Sequence, residues 1–354
     1  FDLEWDCFNT IYKYLLDSDD TETLVVADDC ARDNSSLPSE FLNQLGVEFI
    51  YSEEYSVKEH QPHIIFIADV LSVTRNKWVL RSDARIAFIP YGTSISAAAY
   101  SYRHQYNLPL HNQAWRIFVA GDFVKKLYDA HCDSGSSHVV TLGHPKFEAV
   151  HASPNKYRFP TNAFSRKEPC EVLWNIHFER DGKWSTWNDY GTYILELFAA
   201  RDDVRLVCRP HPFFFDSFKD NKEMLDVRSV ILNNKNTILD ERPSVKDSFA
   251  SCDALMTDGS SIIYDFFFTC KPVLYLRSEN SAYLHSHCFD LINEYHYIGD
   301  DKDEITNFVN KVICKDDHLM KKRMDGLLPD SRLPDPLGTG KNICSYIKSE
   351  MNSD

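Results

Sequence analysis

The sequence predicts an α/β protein made of two doubly wound, parallel-sheet domains facing a central cleft. Three observations carry this. Short, continuously apolar, β-rich runs alternate with helical patterns, the signature of parallel strands covered on both faces. The rhythm breaks once, in a polar, basic and Pro-containing stretch, and then restarts. The length, 354 residues, suits about two domains.

In the first half, strands are expected at Thr23–Ala27, Val47–Tyr51, His63–Ala68, Arg85–Pro90, Trp115–Ala120 and His138–Leu142. Helices are expected at Pro38–Leu45, Ser94–His104 and Asp122–Ala130. The break runs from about His151 to Pro169 and reads as a linker. Strands then recur at Val172–His177, Val204–Arg209, Val230–Asn233, Ala254–Thr257 and Val273–Leu276. Helices are expected at Thr186–Ala200, Ser244–Ser251, Ser261–Thr269 and Lys302–Ile313. This divides the chain into an N-terminal domain over 1–155, a C-terminal domain over 170–335 and a tail over 336–354. The tail's pattern at Lys341–Met351 is that of a helix packing back on the first domain.

Composition removes several classes. Hydrophobic residues make up 43% and charged residues 26%, so the chain is an ordinary globular one. With 53 Asp+Glu against 38 Lys+Arg the net charge is −15. That argues against a nucleic-acid binder and against simple electrostatic adhesion to an anionic membrane. The ten Cys include no CxxC pair, so neither zinc nor redox chemistry has spacing support. Reduced, buried thiols are expected, as in a cytoplasmic protein. No apolar run approaches 18 residues. The chain starts Phe-Asp-Leu-Glu-Trp without Met, which suggests a segment of a longer protein.

In doubly wound sheets ligands bind beyond the carboxyl ends of the strands, so the polar residues there are the candidates. The strongest signal is DALMTDGSSIIYD, where an apolar strand ends at Asp258-Gly259-Ser260-Ser261 before an apolar helix. Hydroxyls and exposed N–H groups at a helix start suit an anion such as phosphate; an ordinary capped turn has the same pattern. In VRLVCRPHP, Arg209 and His211 follow a strand between stiffening prolines, a cation and an imidazole suited to a diphosphate. In VLWNIHFERDGKWSTW, His177 ends a strand and Ser185-Thr186 start a helix. In the first half, Tyr91-Gly92-Thr93 follow one strand, and Gly143, His144, Lys146 and Glu148 follow another. No GxSxG, GxxxxGK[ST], HExxH or GxGxxG occurs. The acidic pairs at Asp28-Asp29 and Asp300–Glu304 read as solvated loops, so no metal and no cofactor are expected.

These motifs, in this order, resemble the CDP-glycerol glycerophosphotransferase family, which includes teichoic-acid primases and polymerases and related capsule enzymes. The resemblance covers about Ile86 to Tyr283. Its most specific element is Thr257-Asp258-Gly259-Ser260-Ser261, then Asp265, then Lys271-Pro272, where the family has strand–TDYSS–xxxD–helix–KP. The family's R-x-H-P stands as Arg209-Pro210-His211-Pro212, and its G-x-P-R-x-D as Gly143-His144-Pro145-Lys146-Phe147-Glu148. The resemblance implies the GT-B fold, two Rossmann-like domains with the nucleotide held by the second. It implies that Thr257, Asp258, Gly259, Ser260 and Ser261 border the donor diphosphate, with His211 and Arg209 stabilising the leaving nucleotide. His177, Ser185, Thr186, Gly92 and Thr93 complete the expected binding set. Two departures stand out. Tyr91 replaces the His of the family's H-G-T motif, the general base for the acceptor. A phenol with a pKa near 10 is a poor base at neutral pH. His144 and Glu148 are the next candidates, unless the acceptor chemistry differs. Asn175-Ile176-His177 stands where many members have P-T-x-R.

The resemblance implies a transferase that moves glycerol or ribitol phosphate from a CDP-linked donor to a hydroxyl of a glycan or lipid-linked acceptor, releasing CMP. Its expected place is the cytoplasm, at the inner face of the membrane. Membrane attachment would then come from a partner, a local patch or another segment. The alternatives are a GT-B glycosyltransferase using a nucleotide sugar, and a non-catalytic module of a longer capsule polymerase.

Overall fold

The computed structural model describes residues 2–29, 38–70, 73, 76–93, 95–151, 169–178, 184–215, 226–242, 245–277, 279, 281, 283–327 and 337–353. Most of the expected linker, and the first residues of the helices expected at Ser94 and Ser244, lie outside these. The chain divides into two units, Phe1–Thr93 with Tyr100–Ala152 and Arg332–Asp354, and Ser94–Ala99 with Ser153–Ser331.

The first unit holds strands β1 (Val26–Ala27), β2 (Ile50–Tyr51), β3 (Ile64–Ile67), β4 (Arg85–Phe88), β5 (Arg116–Val119) and β6 (Val139–Thr141). Its main sheet is parallel, in the order β3-β4-β5-β6, and β1 and β2 form a separate parallel pair. Side chains alternate across a strand, and the alternation sorts the core into two faces. Ile86, Phe88, Ile117 and Val119 pack with Tyr106, Leu110, Val124 and Tyr128. Ala87, Ile89 and Phe118 pack on the other face with Ile11, Ile343, Cys344 and Ile347. That second face is covered by the helices Asn9–Leu16 and Thr339–Met351. Arg116 pins the C-terminal helix by donating to the Tyr346 hydroxyl at 2.8 Å and pairing with Glu350.

The second unit holds β7 (Cys170–Asn175), β8 (Val204–Cys208), β9 (Thr237–Leu239), β10 (Ala254–Thr257), β11 (Val273–Leu276) and β12 (Tyr297–Gly299). They form one six-stranded sheet, ordered β12-β11-β10-β7-β8-β9, whose neighbouring strands all pair in parallel. The chain builds outward from β7 through β8 to β9, then returns to β10 on the other side of β7. This reversal is a topological switch point, the place in doubly wound sheets where ligands bind. Val172, Trp174 and Ile176 carry one face of the core against Ile194, Leu195, Phe198, Phe308 and Val309.

Two expectations are corrected. Val230–Asn233, expected as a strand, lies at the end of the helix Val227–Leu232, and the strand follows at Thr237–Leu239. Val227 and Ile231 are buried while Val230 and Leu232 are exposed, an i, i+4 face. Three apolar residues alone do not separate the two periods. The helix expected at Ser94–His104 is Ala99–Tyr106. Ahead of it, Ser96 bridges to Leu284, with Ala97 N–H donating to the Tyr283 carbonyl at 2.9 Å and His285 N–H to that of Ile95 at 2.9 Å. These backbone groups find partners without a helix. The described cysteines are all free thiols. No described helix is long and apolar enough to cross a membrane.

Gly340 tests how the C-terminal helix docks. A Cβ there would lie 2.5 Å from Thr10 Oγ1, 2.7 Å from the Thr10 carbonyl carbon and 2.9 Å from Ile11 N. Gly→Ala in an open helix gains about 1 kcal/mol. Here overpacking against fixed backbone reverses the sign, and Gly340→Ala is expected to lose about 1–3 kcal/mol. The urea midpoint should fall with its slope unchanged.

Candidate functional site

Polar loops follow β7, β8 and β10, and one carboxylate ties the first to the last. Asp258 leaves β10 and is 1% exposed. One of its oxygens accepts the His177 N–H at 2.8 Å. The other accepts the Thr186 N–H at 2.9 Å and the Thr186 hydroxyl at 3.1 Å. Burial pushes Asp258 up to about 7, against the hydrogen bonds from Thr186 and His177 that favour its charge. Thr257 is also turned inward. Its hydroxyl donates to Asn175 Oδ1 at 3.3 Å, and Asn175 Nδ2 donates to the Arg209 carbonyl at 2.8 Å. The ends of β10, β7 and β8 are thereby laced together. Ser185 Oγ, also buried, accepts the Trp187 N–H at 3.2 Å at the start of the helix Trp187–Ala199. Thr257, Asp258, Ser185 and Thr186 build the site's frame rather than its lining.

The next two residues differ. Ser260 and Ser261 are half-buried. Ser260 N–H donates to the Asp258 carbonyl at 2.6 Å, and Ser260 Oγ accepts the Ile262 N–H at 3.5 Å. A hydroxyl that accepts in this way keeps its own proton for another acceptor. The helix that follows is Ile262–Phe267, shorter than the expected Ser261–Thr269. Six residues make a weak dipole, so the hydroxyls carry the anion-binding potential. Gly259 is required by packing: a Cβ there would sit 2.7 Å from the Trp184 ring.

His211 and His177 stand side by side, their ring centroids 5.0 Å apart. His211 Nδ1 accepts the Phe213 N–H at 3.1 Å, which leaves the proton of the neutral ring on Nε2. His177 has the opposite tautomer, because its Nδ1 must donate to the Phe178 carbonyl at 2.9 Å. Burial, reinforced by His177, lowers His211 to about 3, so it is a neutral hydrogen-bond donor.

Arg209 is held by a partner that sequence reading missed. Its Nη1 donates to the Arg242 carbonyl at 2.8 Å and lies 3.5 Å from Asp240. Asp240 also accepts from Arg242 Nε at 2.7 Å, from Arg242 Nη2 at 2.9 Å and from Ser248. Burial acts to raise Asp240, but the bonds from Arg242 and Ser248 and the Arg209 charge hold it at about 2. An acid directly after the strand next to β8 was the signal available for finding it. Lys271, of the Lys-Pro pair, also serves the fold. Its ammonium donates to the carbonyls of Phe249 (2.6 Å), Ala250 (3.1 Å) and Cys252 (2.6 Å), closing the end of the helix Val245–Ser251. Asp265 is buried within its helix.

In the first unit, two of the candidates are committed to the fold. His144 is 3% exposed and uses both ring nitrogens. Nε2–H donates to the Pro90 carbonyl at 2.6 Å, and Nδ1 accepts the Lys146 N–H at 3.2 Å. Burial lowers it to about 4. Glu148 accepts the Gly338 N–H at 2.7 Å and the Gly340 N–H at 2.9 Å, capping the helix Thr339–Met351. Tyr91 stands half-exposed after β4, its N–H bonded to the Ala68 carbonyl at 3.0 Å. Partial burial and the Asp69 charge raise its phenol above the ordinary value. Gly92 is partly buried beside it, and Thr93 is buried with no hydrogen-bond partner for its Oγ1 among the described residues.

Known proteins match in two ways. Residues 185–323 match the family described as CDP-Glycerol:Poly(glycerophosphate) glycerophosphotransferase. Solved structures share the architecture over nearly the whole chain, at identities that speak to fold alone. The S. aureus MnaA–UDP co-structure is 17% identical with a TM-score of 0.62, covering 98% of this chain and 93% of that one. UDP-GlcNAc 2-epimerase from Neisseria meningitidis, bound to UDP-GlcNAc, is 12% identical with a TM-score of 0.64, covering 99% and 98%. The wall teichoic acid polymerase TagF is 11% identical with a TM-score of 0.60, covering 98% and 86%. The fold class is GT-B. Comparison with curated proteins finds no match.

Asp258 gives a pH prediction with a definite sign. Its carboxyl binds a proton more tightly folded than unfolded, where it titrates near 3.8. Its contribution to stability therefore falls as pH rises from about 4 to about 7. Buried His144 acts oppositely, losing stability as pH drops from 6.5 toward about 4. The difference between wild type and Asp258→Asn isolates the Asp258 component. The wild type's advantage over Asp258→Asn should shrink from pH 4.5 to pH 7 in denaturant titrations.

Proposed function

We propose that the protein transfers a polyol phosphate, of the glycerol or ribitol type, from a CDP-linked donor to a hydroxyl acceptor. The observation that carries this is the coincidence of Ser260, Ser261 and His211 at one switch point, inside the segment that matches the glycerophosphotransferase family. The acceptor oxygen attacks the β-phosphorus, the bond to the bridging oxygen breaks, and CMP leaves with that electron pair. The acceptor proton passes to solvent.

The chain's part is positioning and charge stabilisation, which dominate phosphoryl transfer. The Ser260 and Ser261 hydroxyls donate to diphosphate oxygens. His211 donates Nε2–H to the leaving phosphate, and the incoming anion raises its pKa toward the charged form. Arg209, held by Asp240, adds positive potential at the end of β8. None of these steps calls on a metal. Asp258 takes no part in the chemistry. Its work is to keep His177 and Thr186 in register with Ser260.

His144 and Glu148 are not assigned the acceptor's proton, because their polar atoms are spent on the fold. Tyr91 is assigned an acceptor contact through a phenol that stays protonated. The acceptor itself is assigned as a glycan or lipid-linked polymer met at the inner face of the membrane. A nucleotide-sugar transferase would use the same hydroxyls on another leaving group, and the released nucleotide separates the two: CMP here, UDP or GDP there.

Two variants test the donor assignment. His211→Ala and the double change Ser260→Ala/Ser261→Ala should each lower the rate of CMP release from CDP-glycerol by about 100-fold or more. Their melting temperatures should stay close to wild type. Tyr91→Phe should lose far less than the ~100-fold expected for removing a general base. Glu148→Gln should behave in the reverse way, lowering the melting temperature while CMP release per folded molecule persists. Full activity in the serine double variant would remove the donor-site assignment.

A further inference from the structure

Five rings touch in succession at the mouth of the switch point. Trp184 lies over Gly259, next to the serine pair. His177 follows at 5.6 Å from Trp184, His211 at 5.0 Å from His177, and Phe213 at 5.5 Å from His211. Phe178 bridges the row, 4.6 Å from His211 and 5.8 Å from Phe213, its ring at 90° to that of Phe213. The row begins buried, with Trp184 at 7% exposure, and ends with Phe213 at 57%. It therefore runs from the hydroxyl donors, past an imidazole N–H, to an open aromatic surface.

An exposed phenylalanine alone means little, since single apolar side chains are common on surfaces. Phe213 differs in its placement. It stands two residues after His211 and gives that ring its Nδ1 hydrogen bond through its own N–H. Its ring plane is fixed edge-on by Phe178. A ligand with an anionic group at one end and a flat π-face at the other matches this order of chemistry. A simple polyol phosphate or pyrophosphate leaves the aromatic end unused.

We infer that Phe213 is the platform on which the base of the nucleoside diphosphate stacks, with Phe178 holding it in orientation. This rests on the donor reading above and deepens it. Stacking tolerates any base, because every base has a π-face. Phe213 therefore contributes affinity for the nucleoside, and the choice of cytosine is made by other groups.

The test is calorimetric titration of the full chain with CDP, UDP and inorganic pyrophosphate, for wild type, Phe213→Ala and Phe213→Trp. Phe213→Ala should weaken CDP about 5- to 160-fold, the range of one lost base–aromatic stack. It should leave pyrophosphate unchanged, and Phe213→Trp should keep CDP affinity. Equal CDP affinity in Phe213→Ala and wild type overturns the inference. So does a parallel loss of CDP and pyrophosphate, which marks a structural role. If wild type prefers UDP, and Phe213→Ala loses it, the stacking stands and the cytidine donor reading falls. If wild type binds no nucleoside diphosphate, both fall.

Discussion

The site depends on one buried carboxylate. Asp258 accepts three hydrogen bonds from the two ends of the connection between β7 and the helix Trp187–Ala199. Backbone N–H groups at strand ends and helix starts need partners. A single acid supplies both oxygens, which fixes His177 and Thr186 relative to the serine pair on its own loop. The cost is a charge held out of water, visible in its raised pKa. The same residue that resembles a phosphate ligand in the motif is the reason the motif has a shape.

The two units use their polar motif residues differently. In the second unit Asp258 and Thr257 turn inward so that Ser260, Ser261 and His211 are left able to donate. In the first unit His144 and Glu148 are absorbed altogether, one locking the exits of β4 and β6 together and one capping the C-terminal helix. A carboxylate at a helix start and a neutral histidine between two backbone groups are structural solutions. The donor side of the proposed reaction therefore has named groups with defined proton positions, whereas the acceptor side retains Tyr91 with a phenol that holds its proton.

Much of this was legible in the sequence, for physical reasons that also set its limits. Parallel strands buried on both faces are continuous apolar runs, so HIIFIA, WRIFVA and ALMT stood out, and the polar residues that follow them had to lie at strand ends. Val230–Asn233 was misread because its three apolar residues fit either period. Burial of single polar residues was not legible: Asp258 is buried and Ser260, two positions on, is partly exposed. Asp240 and Arg242 went unseen because their pairing with Arg209 depends on β9 lying beside β8, a neighbour relation that only the sheet order reveals. Lys271 was recognised as part of a pattern, and its use as a helix cap emerged only with the carbonyls around it.

The most direct test of the account follows the β-phosphorus of the donor. Phosphorus NMR of the wild-type chain with CDP-glycerol and a polyol-phosphate acceptor should show the diphosphate resonances disappear as one phosphodiester and one CMP resonance grow in equal amounts. CDP-glycerol left intact beside a new glycosidic product from a sugar nucleotide, or no turnover of any cytidine donor, would contradict it.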